Sequence, residues 1–236
     1  MRGARLVVVV AAAAMAGAAA PAGAVTPAKV GPTQELAVLL EPHQVRPTPR
    51  ARAAHPVTIP AWAPITGGAT VLPVIGHATT SGGVRWLRVM LPGRPNGSTG
   101  WIARRATRST RTSWRIAIRT AARQVRVYRR GQLLRTFSAV VGKPSTPTPH
   151  GRFFIEESIA MPQGSAGAPY ALATSARSNV LQEFDGGPGQ IALHGVMNLG
   201  GIPGTAVSHG CVRLANPNIR WLAARMSPGV RVTITR

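Results

Sequence analysis

The chain is short of acid and almost without thiol. Its 236 residues include 6 Asp+Glu and a single Cys. One cysteine excludes an intramolecular disulfide, a disulfide scaffold and a Cys-rich zinc module. Six acids leave little material for an enzyme built on paired carboxylates. Lysine is scarce as well: of 28 Lys+Arg only Lys29 and Lys143 are lysines, so arginine carries the formal charge of +22. Beyond the first 24 residues no apolar run is long enough to span a bilayer. What is present is 44% hydrophobic sequence, too apolar for disorder throughout and enough for one or two domains with full cores. The charge points to an anionic partner: nucleic acid, a membrane face or a charged wall polymer.

Residues 1–24 read as a secretory signal peptide. Arg2 and Arg5 give a positive start, residues 6–20 are small and apolar, and Ala22-Gly23-Ala24 offers a cleavage site. The alternative is a retained anchor, but the stretch is shorter and more Ala-rich than a spanning helix. No cysteine follows it, which excludes a lipid-modified lipoprotein. Export sets nucleic acid aside and leaves an extracellular polyanion as the expected charged partner.

Residues 25–55 are rich in Pro, Ala and Arg, with one apolar patch at 36–40, and are expected to form an extended linker. From 56 to 111, short apolar segments alternate with turn residues, the pattern of a small β-barrel or sandwich. Trp62, Trp86 and Trp101 fall there and read as packing rather than a ligand platform. From Ser113 the strands lengthen: Trp114, Ile116 and Ile118 alternate with arginines, and Val125 and Val127 lead into an Arg-Arg-Gly-Gln turn and a returning strand. Eleven arginines and no acid lie between Arg104 and Arg135, so a sheet solvated on one side should carry a strongly positive face. One helix is expected, with Asn216 as N-cap, Pro217 at its first position and Ile219, Leu222, Ala223 and Met226 on one face; Pro228-Gly229 stops it. Val230, Val232 and Ile234 make a last strand.

The chemistry concentrates between 191 and 214. Cys211 lies in Ser208-His209-Gly210-Cys211-Val212-Arg213-Leu214, and His194-Gly195 ends a strand 17 residues upstream. A nucleophilic thiol needs a neighbouring base, and imidazole is the natural one. Gly210 lets the backbone turn sharply, so that the amides of Gly210 and Cys211 can face a developing oxyanion. Two other readings stand beside this one: Cys211 as a small buried hydrophobe, and His194, His209 and Cys211 as zinc ligands completed by Asp185 or water, although the short ligand spacings of zinc modules are missing. His150 reads as a loop residue, and His43, His55 and His77 carry no pairing signal. Glu183 and Asp185 flank a Gly-Gly-Pro-Gly loop, where they could serve an acceptor amine or only the loop.

The strand-end His-Gly with S-H-G-C-V-R-L resembles the signature of the YkuD family of L,D-transpeptidases. Pro147 to Phe153, P-T-P-H-G-R-F, is similar to that family's P-T-P-x-G-x-F segment, and the Val-Tyr-Arg-Arg-Gly hairpin with Val140-Val141-Gly142 fits its opening strands. The resemblance covers residues 113–236 and implies a mainly β catalytic domain with one late helix. Residues 56–111 resemble, more loosely, a bacterial SH3-like domain. The family likeness implies Cys211 as nucleophile, His194 as base and the Gly195 carbonyl as acceptor of the histidine's hydrogen bond. Ser208 and His209 would hold the loop, Gly210 would help form the oxyanion hole, and Arg213 and Tyr170 would contact substrate. The implied reaction is 3→3 cross-linking of peptidoglycan through a thioester, with a tetrapeptide stem as donor and a diamino-acid side chain as acceptor. Neither metal nor cofactor is implied. The alternatives are an L,D-carboxypeptidase of the same fold and a non-catalytic wall-binding protein, with secretion to the cell wall common to all.

Overall fold

Two runs of short strands, divided at Ser113, account for most of residues 31–50, 57–184 and 186–236, which the computed structural model describes. The expected signal peptide, His55 and Asp185 lie outside the described residues. The first run is β1 (Gln34–Leu39), β2 (His43–Val45), β3 (Val57–Ile59), β4 (Val71–Thr79), β5 (Arg85–Met90), β6 (Thr99–Ala103) and β7 (Thr107–Thr112). Five of these form an antiparallel sheet in the order β6-β5-β4-β1-β7, and β2 pairs with β3.

Two of the strands correct the expected linker, because β1 and β2 both fall inside residues 25–55. The apolar patch there is a central strand: Leu36, Ala37, Val38 and Leu39 are all at most 5% exposed. β1 sits between β4, through Ala37↔Leu72, and β7, through Leu36↔Thr110. Burying each leucine is worth about 1.5–3 kcal/mol, which outweighs the chain's preference for an extended, solvated state. β7, Thr-Arg-Ser-Thr-Arg-Thr, has no apolar residue to announce it and becomes a strand by pairing with β1.

The second run is β8 (Trp114–Arg119), β9 (Gln124–Arg129), β10 (Gln132–Ser138), β11 (Val141–Gly142), β12 (Gly151–Ala160), β13 (Tyr170–Arg177), β14 (Gln190–His194), β15 (Ala206–Ser208), β16 (Val212–Arg213), helix α1 (Asn216–Ala223) and β17 (Arg231–Thr235). Eight of these strands make one sheet, β10-β9-β8-β17-β12-β13-β14-β16. Period-two alternation points Ile116, Ile118, Val125, Val127, Val232 and Ile234 into one core, where Ile219 and Leu222 of α1 join them. Arg130 and Gly131 both have positive φ, 51° and 82°, which makes the two-residue β9–β10 turn match the strand twist. The expected N-cap is displaced by one residue. Ala215 caps α1 without a side-chain bond, while Asn216 Oδ1 accepts from the Val196 N–H at 3.2 Å. The asparagine is thereby tied to the loop after His194.

The consecutive residues Phe153 and Phe154 face opposite ways, Phe153 into the eight-stranded sheet's core and Phe154 into that of the first sheet. Polar contacts add to this joint. Buried Glu157 accepts from the Thr66 N–H at 2.7 Å, and Arg231 Nη2 donates to the Val74 carbonyl at 3.2 Å.

Candidate active site

The ends of neighbouring strands bring the two reactive side chains to one cavity. β14 and β16 run parallel with His194 opposite Arg213, and Cys211 lies one residue before β16. His194, Cys211, His209 and Arg213 all line a cavity of about 1160 Å³, whose other walls include Leu181, Phe184, Leu199, Ile202 and Val207.

The histidine's tautomer follows from its neighbour. His194 Nδ1 lies 2.8 Å from the Gly195 carbonyl oxygen. A carbonyl only accepts, so Nδ1 carries the proton and the neutral ring keeps its lone pair on Nε2. Close approach demands glycine next to it: a Cβ on Gly195 would collide with the Ala168 carbonyl and stand 2.7 Å from Asn216 Oδ1.

The cysteine loop is held by hydroxyls. Ser208 Oγ donates to the Cys211 carbonyl at 2.6 Å and accepts from the Gly210 N–H at 3.2 Å. Thr148 Oγ1 donates to the Gly210 carbonyl at 2.8 Å, and Thr146 Oγ1 to the Ser208 carbonyl at 3.1 Å. Gly210 itself has φ +121°, a conformation that side chains rarely adopt. The Ser208 bond corrects one expectation, because the Gly210 amide is already occupied and is not a free oxyanion donor. Among the described residues the Cys211 N–H meets no acceptor and remains available.

Sulfur and imidazole both rest neutral. Burial pushes the Cys211 thiol above its ordinary 9.0, although the Ala192 N–H, 3.4 Å from Sγ, and the Arg213 charge act the other way. Burial likewise pulls His194 below its ordinary 6.5, opposed by the Gly195 carbonyl and assisted by Arg213. The ground state is therefore a thiol and a neutral imidazole lining one cavity, and thiolate must be produced during reaction.

The remaining candidates divide. Arg213 is 8% exposed; its Nη1 donates to the Gly200 carbonyl, and its Nε is buried without a partner. His209 is exposed and stacks on Phe184, with ring centroids 5.6 Å apart. Tyr170 does not line the Cys211 cavity. It opens β13, paired with Ala160, and borders a smaller hollow of about 420 Å³ with Pro169, Met197 and Arg220. Among the described residues no three His, Cys, Asp or Glu side chains are grouped to hold a metal ion.

Sequence reasoning missed Thr146 and Thr148, whose hydroxyls act across 62 residues of chain, although the P-T-P segment was visible. It also missed Arg94, in the loop between β5 and β6. That guanidinium donates to the carbonyls of Ser178, Leu181 and Pro188 at 2.9–3.1 Å, holding the loop that carries Phe184. No local signal marks such a contact.

Comparison with known proteins gives the family of the second half of the chain. The model of the YkuD L,D-transpeptidase catalytic domain matches residues 113–234. A Bacillus licheniformis protein named as an L,D-transpeptidase YkuD is 36% identical over 122 residues, 52% of this chain and 66% of its own length. Its Bacillus subtilis namesake is 32% identical over 123 residues, with the same shares of each chain. The match thus spans just under two thirds of these relatives. Among solved structures, L,D-transpeptidase 3 from Mycobacterium tuberculosis aligns with 71% of this chain and 92% of its own, at 14% identity and a TM-score of 0.45.

Proposed function

Because this chain belongs to the family of YkuD L,D-transpeptidase catalytic domains, we propose that it is an exported enzyme that forms 3→3 cross-links in peptidoglycan through a thioester on Cys211. The observation that carries the proposal is the bond from His194 Nδ1 to the Gly195 carbonyl, which leaves Nε2 unprotonated in the cavity that Cys211 lines.

In this reading His194 Nε2 takes the thiol proton as Sγ attacks the carbonyl of the third residue of a tetrapeptide stem. The Ala192 N–H stabilises negative sulfur, and the Cys211 N–H faces the oxyanion. The tetrahedral intermediate collapses to the thioester, and the terminal D-alanine leaves with the proton returned by His194. The side-chain amine of a neighbouring stem then attacks the thioester, loses a proton to His194 and releases Cys211 as the cross-link forms. Arg213, with its unpartnered Nε, is the group to receive a stem carboxylate. His209 with Phe184 would form a wall for the stem, and Ser208 would hold the nucleophile's turn. The step requires no cofactor. Residues 1–24 act as the signal peptide in this account, and the β unit ahead of Ser113 is an SH3-like wall-facing module.

Mass spectrometry of the purified chain with a disaccharide-tetrapeptide carrying a diamino acid tests the proposal, with Cys211→Ala alongside. A dimer lacking one D-alanine, absent with Cys211→Ala, is expected. Tripeptide alone would make the enzyme an L,D-carboxypeptidase. No product and no adduct on Cys211 would leave a non-catalytic wall-binding protein.

A further inference from the structure

The eight-stranded sheet turns one face to its core; the other packs on the first sheet at Phe154 and carries arginines beside that contact. Across the adjacent strands β9, β8, β17 and β12, one row of register partners reads Tyr128, Arg115, Arg231, Phe154; the next reads Arg126, Ala117, Thr233, Arg152. Core residues alternate with these, so both rows stand on the outer face. Two small residues, Ala117 and Thr233, therefore form a floor with Arg115, Arg231, Arg126 and Arg152 around it.

Among the described residues no carboxylate answers these charges. Glu35 pairs with His77, Glu41 with Arg105 and Glu156 with Arg177; Glu157 is committed to the amides of Ile65 and Thr66. Glu183 neighbours Phe184 at the Cys211 cavity. The guanidiniums press on one another instead: burial first, then mutual repulsion among Arg115, Arg152 and Arg231, lowers Arg115 and Arg231 below the ordinary arginine value. The Nε atoms of Arg126 and Arg231 are buried without partners. Like charges gathered on a half-buried floor destabilise the chain until an anion arrives.

We propose that this face is a binding site for a phosphate-bearing polyanion, separate from the Cys211 cavity. Neighbouring strands stand about 4.8 Å apart, so Arg115 and Arg231, side by side in register, can share the oxygens of one phosphate. Arg126 and Arg152 stand three strand spacings apart, roughly 14 Å, too wide for a single phosphate and suited to successive groups of a polymer. Phe154 and Arg231, at the end of one row, pack against the first sheet, while the row from Arg126 to Arg152 keeps contact with solvent, so a chain can lie along that row.

The test uses the full chain and measures binding, so its outcome is independent of any activity at Cys211. Affinities for poly(glycerol phosphate), inorganic polyphosphate and poly-L-glutamate of matched charge are compared at about 0.15 M salt, where long-range attraction is largely screened. Arg115→Gln with Arg152→Gln removes two guanidiniums that make no side-chain hydrogen bond among the described residues; Arg85→Gln with Arg108→Gln removes the same charge from exposed positions elsewhere. The expected result is a loss of about tenfold or more in phosphate-polymer affinity for the first pair and less than about twofold for the second. Ala117→Glu offers the cluster an internal anion; it should raise Tm and abolish phosphate-polymer binding. Equal losses from the two pairs, poly-L-glutamate bound as tightly as the phosphate polymers, or unimpaired binding by Ala117→Glu would each overturn the site. Tighter binding of one phosphate polymer than the other identifies the physiological source as wall polymer or free polyphosphate, and either supports the site.

Discussion

Thr148 Oγ1 donates to the carbonyl of Gly210 at 2.8 Å while accepting the Gly142 N–H at 2.9 Å. One buried hydroxyl thus ties the P-T-P loop to the turn that presents Cys211. Thr148→Val keeps the shape and strands both backbone groups, at about 1–3 kcal/mol for each. The variant should melt several degrees lower and turn over substrate about tenfold more slowly. Thr148→Ser should recover most of both, as thermal melts and steady-state rates would show.

A resting thiol and a neutral imidazole make a definite pH signature. The Cys211 thiol lies above 9.0 and the His194 imidazole below 6.5. A raised thiol is protonated over the whole neutral range, so its alkylation by iodoacetamide should still be climbing at pH 9. A lowered imidazole stays an active base in mildly acidic solution, which places the acid limb of activity below pH 6.5. An alkylation plateau near pH 6–7 would instead mean a standing thiolate–imidazolium pair and would sink this assignment.

Arg94 reaches the active cavity without entering it. Its three bonds to the carbonyls of Ser178, Leu181 and Pro188 fix the wall that carries Phe184. At about 0.5–1.5 kcal/mol for each bond, Arg94→Ala should raise KM for the stem peptide about tenfold. The rate of iodoacetamide capture by Cys211 should not move. A fall in kcat at constant KM would show that the contact serves the reacting groups and not the wall.

Gly195→Ala should be severe for its size. The added methyl meets the Ala168 carbonyl and Asn216 Oδ1, so the backbone must shift and draw the Gly195 oxygen away from His194 Nδ1. Without that acceptor the ring loses its fixed tautomer, and kcat should drop by at least about tenfold. A kinetic profile like that of the parent chain would show that the carbonyl is dispensable.

Much of this was legible in the chain itself. Alternation marked β8, β9 and β17 because their faces differ sharply, apolar within and arginine without. The turn at Arg130-Gly131 and the helix behind Pro217 were equally local. Cys211, His194 and their glycines stood out because a thiol, a base and a sharp turn are rare in such proximity. β1 was hidden by the prolines and arginines around it, and β7 by having no apolar residue; each exists through its partner strands. The asparagine before Pro217 looked like a cap, yet the tertiary fold gives its oxygen to Val196.

The sequence by itself determined the kinds of chemistry possible, a lone thiol with a histidine on a nearly acid-free chain, and the alternation that sorts core from surface. Tertiary structure decided what those groups can do. Parallel pairing of β14 with β16 sets His194 opposite Arg213, with Cys211 two residues before it. The Gly195 carbonyl selects the tautomer, Ser208 occupies the Gly210 amide, and register gathers four distant arginines around Ala117 and Thr233. Local preferences act over a few residues, whereas each of these arrangements depends on which strands become neighbours, and only burial of the whole chain settles that.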